Sequence, residues 1–272
     1  MENFQNKVAV ITGAGSGIGR ELALQLAAQG AKVAINDYNA NTLAETGRAI
    51  EANGGTAVCY RFDVSDRELL YQFADDVLNQ FGQVDLVINN AGVSLGGYDT
   101  LQISDEDFEW LININMWGVI HGSRAFLPHL LKRPEASLVN ISSVFGLFGV
   151  PKQSPYCTAK YAVKGFTESL RRELLESKVT VAVVHPGGIK TNIVRNGRHA
   201  SAADLEELAQ EFDEQLARTT AADAAATILK GIQKKRSIIL IGNDARLINL
   251  ATRILPQKWF DRLVLRQVCV HF

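Results

Sequence analysis

Short runs of β-branched and aliphatic residues alternate along the chain with longer stretches in which apolar residues recur every three to four positions. The opening runs are Val8 to Ile11, Glu21 to Ala28, Val33 to Ile35 and Thr42 to Ala52, which predicts strand, helix, strand, helix. The alternation continues through Thr56 to Tyr60, Arg67 to Phe81, Val84 to Ile88, Asp105 to Leu131, Ser137 to Ile141, Tyr156 to Glu176 and Val179 to Val184. A parallel strand is reached only by a crossover, usually helical, so this order predicts an α/β doubly wound parallel sheet of about seven strands with helices on both faces. Val84 to Ile88 and Val179 to Val184 are apolar almost throughout, as expected of central strands covered on both sides.

Beyond Pro186 the pattern loosens. Ser201 to Ala217 and Ala221 to Lys235 read as helices and Ile238 to Ile241 as a last strand. The stretch Ala245 to Val270 carries Leu247, Ile248, Leu250, Ile254, Leu255, Trp259 and Phe260 among five arginines or lysines. It predicts an amphipathic helix pair, packed on the domain or on a neighbouring subunit rather than serving as a membrane-surface helix or a lid. With no repeat or linker, residues 1–272 read as one domain in which 245–272 is a helical extension.

Composition then narrows the possible partners. The 272 residues are 47% hydrophobic and 21% charged, which excludes a disordered chain. Twenty-eight Lys and Arg against 29 Asp and Glu leave no positive excess for nucleic acid. Cys59, Cys157 and Cys269 are far apart and odd in number, and His121, His129, His185, His199 and His271 have no ligand spacing. Neither disulfides nor a metal site are expected, and a reducing cytoplasm fits best. No signal peptide and no apolar run of membrane-spanning length is visible. Asn140-Ile141-Ser142 matches a glycosylation acceptor only by accident, since it lies in an apolar strand.

The first strand runs into Thr12-Gly13-Ala14-Gly15-Ser16-Gly17-Ile18-Gly19 and then into a helix pattern. Gly13, Gly15, Gly17 and Gly19 permit a tight turn and close backbone approach to a diphosphate, and the helix start that includes Ser16 and Ile18 offers unpaired N–H groups. Eighteen residues beyond Gly19, Asp37 ends the second strand. A carboxylate there binds the ribose hydroxyls of NAD and repels the extra phosphate of NADP, so NAD is favoured; Ser16 and Tyr38, where a cation would be needed, are not basic. The plainer alternative is a solvated strand-end carboxylate.

Further segments follow in a fixed order: Asp63-Val64, Asn89-Asn90-Ala91-Gly92, Asn115, Ser143, Tyr156, Lys160, and Pro186-Gly187 with Thr191. Together with the glycine turn they resemble the short-chain dehydrogenases/reductases over about residues 5 to 195. The resemblance implies a Rossmann-type fold, a cofactor held by the glycine turn, Asp37, Asp63, Val64, Asn90, Ala91, Gly92, Pro186, Gly187 and Thr191, and a catalytic set of Asn115, Ser143, Tyr156 and Lys160.

Tyr156 and Lys160 are four residues apart at a helix start, which puts both on one face. An ammonium beside a phenol favours the phenolate over its ordinary pKa of about 10, so Tyr156 is expected to serve as general acid in reduction and general base in oxidation. The resemblance implies that Lys160 also holds the nicotinamide ribose, that Ser143 binds the substrate oxygen, and that Asn115 distorts its helix around a proton-relaying water. Ser142 competes with Ser143, and family spacing decides for Ser143. Taken singly, each residue has a bland reading as an ordinary helix or strand-end residue, and Cys157 beside Tyr156 reads as a small buried apolar residue.

By the same resemblance, the substrate pocket draws on Ser94 to Tyr98, Val144 to Pro155 and Gly188 to Arg198, with Ser94, Phe145, Leu147, Phe148 and Ile193 as candidate contacts. Their apolar character suggests a secondary alcohol or ketone on a ring, steroid-like, or on a lipid-like chain; alternatively Phe145 or Phe148 packs inward as core. Gly188 to Ser201 is expected to be a mobile lid, and the two long helices to join a homodimer or homotetramer. The expected function is an NAD-dependent oxidoreductase acting on CH–OH groups. A catalytically silent NAD-binding scaffold or sensor is the alternative, and a lyase or epimerase fits less well.

Overall fold

The computed structural model describes residues 1–199, 210 and 217–268. Its strands are β1 (Val8–Thr12), β2 (Lys32–Asp37), β3 (Thr56–Arg61), β4 (Leu86–Asn89), β5 (Leu95–Gly96), β6 (Ala136–Ile141), β7 (Val179–Pro186), β8 (Ile189–Lys190), β9 (Arg198–His199), β10 (Thr219–Thr220) and β11 (Ile238–Ile241). The described helices are α1 (Gly17–Ala28), α2 (Ala40–Ala52), α3 (Arg67–Phe81), α4 (Asp105–Ile112), α5 (Gly118–Leu130), α6 (Ser154–Glu173), α7 (Ala221–Gln233), α8 (Asn243–Ile254) and α9 (Gln257–Val268).

Seven strands form one parallel sheet in the order β11-β7-β6-β4-β1-β2-β3. The chain winds outward from β1 through β2 and β3, returns to β4 on the other side, and winds away again. This reversal of strand order opens a crevice at the carboxyl ends of β1 and β4. Within β1, Ala9 and Ile11 pack with Leu22 and Leu26 of α1 and Ile228 and Ile232 of α7. Val8 and Val10 point to the other face, toward Phe73 of α3 and Phe126 of α5. The period-2 alternation of a strand thus supplies two cores, which is why β1 is buried throughout.

The expected single helix from Asp105 to Leu131 is two helices. A π-turn over Asn113–Trp117 separates α4 from α5, and Gly118 N–H reaches back five residues to the Asn113 carbonyl. The cause is tertiary: the Asn115 amide donates to Val93 O and its Oδ1 accepts from Val93 N, both at 2.8 Å, tying the turn to the strand-end loop. The expected helix Tyr156 to Glu176 begins earlier, at Ser154, with Pro155 in the first turn where its missing N–H costs nothing. β4 begins at Leu86 rather than Val84, because Asp85 turns its carboxylate to Val8 N–H and the Arg133 guanidinium. Most of Ser201 to Ala217, and Cys269, lie outside the described residues.

The amphipathic tail folds as the helix pair α8–α9. Ala245, Ile248, Ala251, Leu255 and Phe260 pack against Phe145, Leu147 and Phe148, the segment that follows β6. Among the described residues no helix is long and apolar enough to cross a membrane.

Candidate active site

The glycine turn between β1 and α1 is built by exclusion of side chains. Gly13 has φ +64°, and a Cβ there would sit 2.7 Å from Ala91 Cα. A Cβ on Gly19 would collide with the Gly13 carbonyl, and one on Gly15 would lie 2.8 Å from an Asp37 carboxylate oxygen. Asp37 accepts hydrogen bonds from Gly15 N–H and Asn39 N–H, both at 2.9 Å, so it closes the turn as well as ending β2. Asn90 donates to the carbonyls of Thr12 (2.9 Å) and Gly13 (3.1 Å), and Thr12 Oγ1 receives the N–H groups of Asn90 and Ala91. The residue before α1, Ser16, makes no side-chain cap, and the first turn of α1 holds no acidic residue. Its first N–H groups are therefore uncapped beside a turn that admits no side chain, which fits a dinucleotide diphosphate.

Around this turn, Ile18 packs onto the α1 core. Val64 is buried beside Gly118, and the exposed Asp63 accepts Ser65 N–H at 2.9 Å. Gly17, at φ +53°, faces Thr191, whose methyl would lie 3.1 Å from an added Cβ. The loop after β7 thus meets the glycine turn.

Tyr156, Lys160, Ser143 and Asn115 converge at the carboxyl end of β6. The Lys160 ammonium lies 5.4 Å from the Tyr156 ring centroid and donates to Ile141 O at 3.2 Å. Ser143 Oγ accepts Phe145 N–H at 3.1 Å, and its side chain lies close enough to the Tyr156 phenol to favour the charged form. Ser142 turns away, giving its hydroxyl to Lys160 O at 2.8 Å. A Cβ on Gly92 would lie 3.2 Å from Asn115 Oδ1 and 3.4 Å from Lys160 Nζ, so the Asn-Asn-Ala-Gly segment presses against this cluster.

The expected phenolate is not what the protein's own atoms favour. Burial pushes the Tyr156 phenol up to about 12, against a smaller opposite effect of the Ser143 hydrogen bond. Burial also pushes the Lys160 ammonium, 2% exposed, down to about 8. Desolvation disfavours both charged forms, and at 5.4 Å from the ring the ammonium does not offset it.

His185 sits under Ser143. It is fully buried and its Nδ1 is 2.8 Å from Ser143 O; a carbonyl only accepts, so Nδ1 carries the hydrogen. Burial pushes the imidazole down to about 4, with the Ser143 carbonyl acting in the opposite direction. A folded pKa below the ordinary 6.5 means the unfolded chain binds the extra proton first, so stability is lost as pH falls from about 6.5 towards 4. Urea unfolding of the His185→Gln variant is expected to show a shallower loss across that window than wild type. Parallel curves would remove the assignment.

Pro186 ends β7, Gly187 N–H donates to Ile241 O at 3.0 Å, and Gly188 N–H donates to Asp244 at 2.9 Å. A side chain on Gly187 would run into that carboxylate. Asp244 stands in the first turn of α8, so that helix holds the Pro-Gly-Gly loop, a role sequence spacing did not reveal. The segment expected to be a mobile lid is tethered as far as it is described. Ser94 Oγ donates to Ile193 O at 2.9 Å, β5 pairs with β9, and Arg198 bonds Asp107 at 2.6 Å with its guanidinium 4.1 Å over the Trp110 ring. Ser201 lies outside the described residues.

Of the expected pocket aromatics, Phe145 is part-buried, with its ring edge-on to Tyr156 at 6.1 Å. Leu147 is part-buried in the same cluster. Phe148 is packed inward, between Phe145 and Phe260, each at 5.7 Å. Cys157 is buried and Cys59 exposed, and no group of side chains among the described residues could hold a metal. A buried polar chain was also missed: Asn89 donates to Ser123 (3.1 Å) and Asn140 (2.8 Å), and Asn140 donates to Thr167 (3.0 Å). It pins β4, β6, α5 and α6 at the level where Asn90 and Ser143 emerge. The one signal for it was an asparagine inside the apolar run Leu138 to Ile141.

Comparison with known proteins gives a consistent picture. The sequence pattern described as short chain dehydrogenase matches residues 7–202. The provisionally named oxidoreductase SadH of Mycobacterium tuberculosis is 43% identical over all of this chain and 99% of its own. A short-chain dehydrogenase/reductase from Burkholderia phymatum, solved with NAD, superposes with a TM-score of 0.86 at 31% identity over 98% of both chains. A metagenomic short-chain oxidoreductase solved with NADP superposes with a TM-score of 0.72 at 26% identity, over 88% of this chain and 98% of its own.

Proposed function

We propose, from the premise that this chain belongs to the short-chain dehydrogenase/reductase family, that it interconverts an apolar secondary alcohol and its ketone using NAD. That it is an oxidoreductase with a nicotinamide-binding fold follows from the family. The observation that carries the finer reading is the convergence of Tyr156 and Ser143 with the buried Lys160, whose ammonium lies 5.4 Å from the Tyr156 ring centroid.

In this reading the glycine turn and α1 take the diphosphate, Asp37 the adenosine ribose, and Asp63, Val64 and the Asn90 to Gly92 segment the adenine side. Lys160 would hold the nicotinamide ribose, and Pro186, Gly187 and Thr191 would hold the nicotinamide end of the cofactor. When bound, the nicotinamide supplies the two-electron hydride chemistry. Ser143 fixes the substrate oxygen, and Tyr156 gives it a proton in reduction or removes one in oxidation. Lys160 lowers the energetic penalty on the phenolate, and Asn115, by holding the π-turn open at Val93, supports a proton path to Lys160. The Asp37 carboxylate supports NAD over NADP. Arg61, paired in register with Asp37, is turned to the Tyr38 carbonyl at 3.4 Å.

Phe145, Leu147, Ile193 and Ser94 offer the substrate apolar walls and one hydroxyl, which supports a ring or acyl-chain alcohol. Phe148, packed inward, contributes shape rather than contact. The unpaired Cys59 and Cys157 support a cytoplasmic setting. Residues 1–272 act as one domain with 245–272 as extension, and Trp117 and Leu131, exposed at the two ends of α5, support a homodimer or homotetramer. The test is turnover of purified protein with NAD and with NADP against a panel of steroid, fatty, cyclic and aryl secondary alcohols, followed by absorbance of the reduced cofactor. Reduction of NAD by an apolar member is expected; no turnover with any member, or turnover only with NADP, would contradict the proposal.

A further inference from the structure

The outer face of the tail gathers four exposed large apolar side chains within 13 residues. On α8, Leu247 is 67% exposed, Leu250 55% and Ile254 67%, and Trp259 on α9 is 62% exposed. Their spacing places the three aliphatic residues in one stripe, opposite the Ala245–Ile248–Leu255 face that packs on the domain. Arg246 and Arg253, each within one turn of Leu250, flank the stripe. Residues 245–268 carry five cations and one carboxylate, a net +4 in a chain whose total is −1.

Beside the arginine flank lies a cavity of about 340 Å3 between α6, β7, β11 and α8. Its charged lining is Lys164, Arg171, Arg172, Arg253 and the single carboxylate Glu168. Lys164 pairs with Glu168 at 3.0 Å, and Arg172 donates to the Glu168 carbonyl. Among the described residues Arg171 and Arg253 have no ion-pair partner. A cavity with net charge +3 thus opens next to an exposed apolar stripe, and Arg253 belongs to both.

We propose that this face docks on an anionic phospholipid bilayer, with phosphate headgroups seated in the Lys164–Arg171–Arg253 cavity and the Leu247–Leu250–Ile254 stripe at the level of the acyl boundary. Charge decides the occupant. A two-fold pairing of this face with a second copy sets like charges against each other, whereas an anionic leaflet meets both the cations and the apolar stripe. The docked helices also carry Phe260 against Phe148 and Asp244 against Gly188 N–H, so the lipid-facing element is continuous with two loops of the active site.

The test is sedimentation of the full chain with vesicles of phosphatidylcholine alone and of phosphatidylcholine mixed with phosphatidylglycerol. Binding is expected only to the mixed vesicles and is expected to weaken with salt. Arg171→Glu/Arg253→Glu should weaken it more than tenfold, at about fivefold per cation removed. Leu250→Glu/Ile254→Glu should abolish it while thermal unfolding stays within a few degrees of wild type. Equal binding to both vesicle types, or none to either, overturns the proposal. So does displacement by inorganic phosphate with binding indifferent to the stripe variant, which would mark a free-anion site. Conversion of an oligomer to a smaller species by the stripe variant, without vesicle binding by wild type, would assign the face to self-association instead.

Discussion

Replacing Tyr156 by Phe is expected to lower kcat by at least two to four orders of magnitude while leaving the dissociation constant for NAD within a few-fold of wild type. The variant removes one oxygen from a ring that is otherwise held by packing, edge-on to Phe145 at 6.1 Å. What is lost is the phenolic hydroxyl beside Ser143, the group that in this reading gives and takes the proton at the substrate oxygen. Positioned general acid–base catalysis contributes about 10²- to 10⁴-fold, which sets the lower range. Steady-state turnover and fluorescence titration of the cofactor separate the two effects. Retained turnover would remove Tyr156 from the proton-transfer step, and lost NAD binding would make it a structural residue.

Asp37→Ala is expected to weaken kcat/KM with NAD by about 10- to 100-fold, since hydrogen bonds to a charged group contribute about 1.5–3 kcal/mol. The ratio of NAD to NADP is the sharper reading. Asp37 also accepts Gly15 N–H and Asn39 N–H, so its loss loosens the turn for both cofactors alike. Only the ribose interaction and the repulsion of a 2′-phosphate distinguish them, and Arg61, paired in register with Asp37 across β2 and β3, becomes available to that phosphate. The preference should therefore fall toward parity or invert. An unchanged ratio would show that the strand-end carboxylate only closes the turn.

Local pattern carries much of this molecule. The strand, glycine turn and helix from Val8 to Ala28 are consecutive, so spacing alone exposes them. The Tyr156–Lys160 pair is one helical turn, visible for the same reason. What the sequence hid was non-local. The helix distortion at Asn115 was visible only through the family resemblance; its cause, the bond of Asn115 to Val93 22 residues away, was not. Asp244 reaches Gly188 across 56 residues and His185 reaches Ser143 across 42. Two adjacent serines are equivalent to any periodicity argument, and Ser142 separates from Ser143 only through its bond to Lys160 O. The phenolate expectation shows the same limit. Sequence spacing reveals a neighbouring ammonium but not the burial that outweighs it.

The central claim is that the Lys160 cation and the bound cofactor together bring a part-buried phenol within reach of proton transfer. Ultraviolet difference titration of wild type against Tyr156→Phe, with and without NAD, reads that phenol directly. Without NAD the phenol should ionise near 12; with NAD it should ionise well below its ordinary value of about 10, and Lys160→Met should abolish that fall. An ionisation that NAD does not lower, or that Lys160→Met leaves unchanged, would contradict the account.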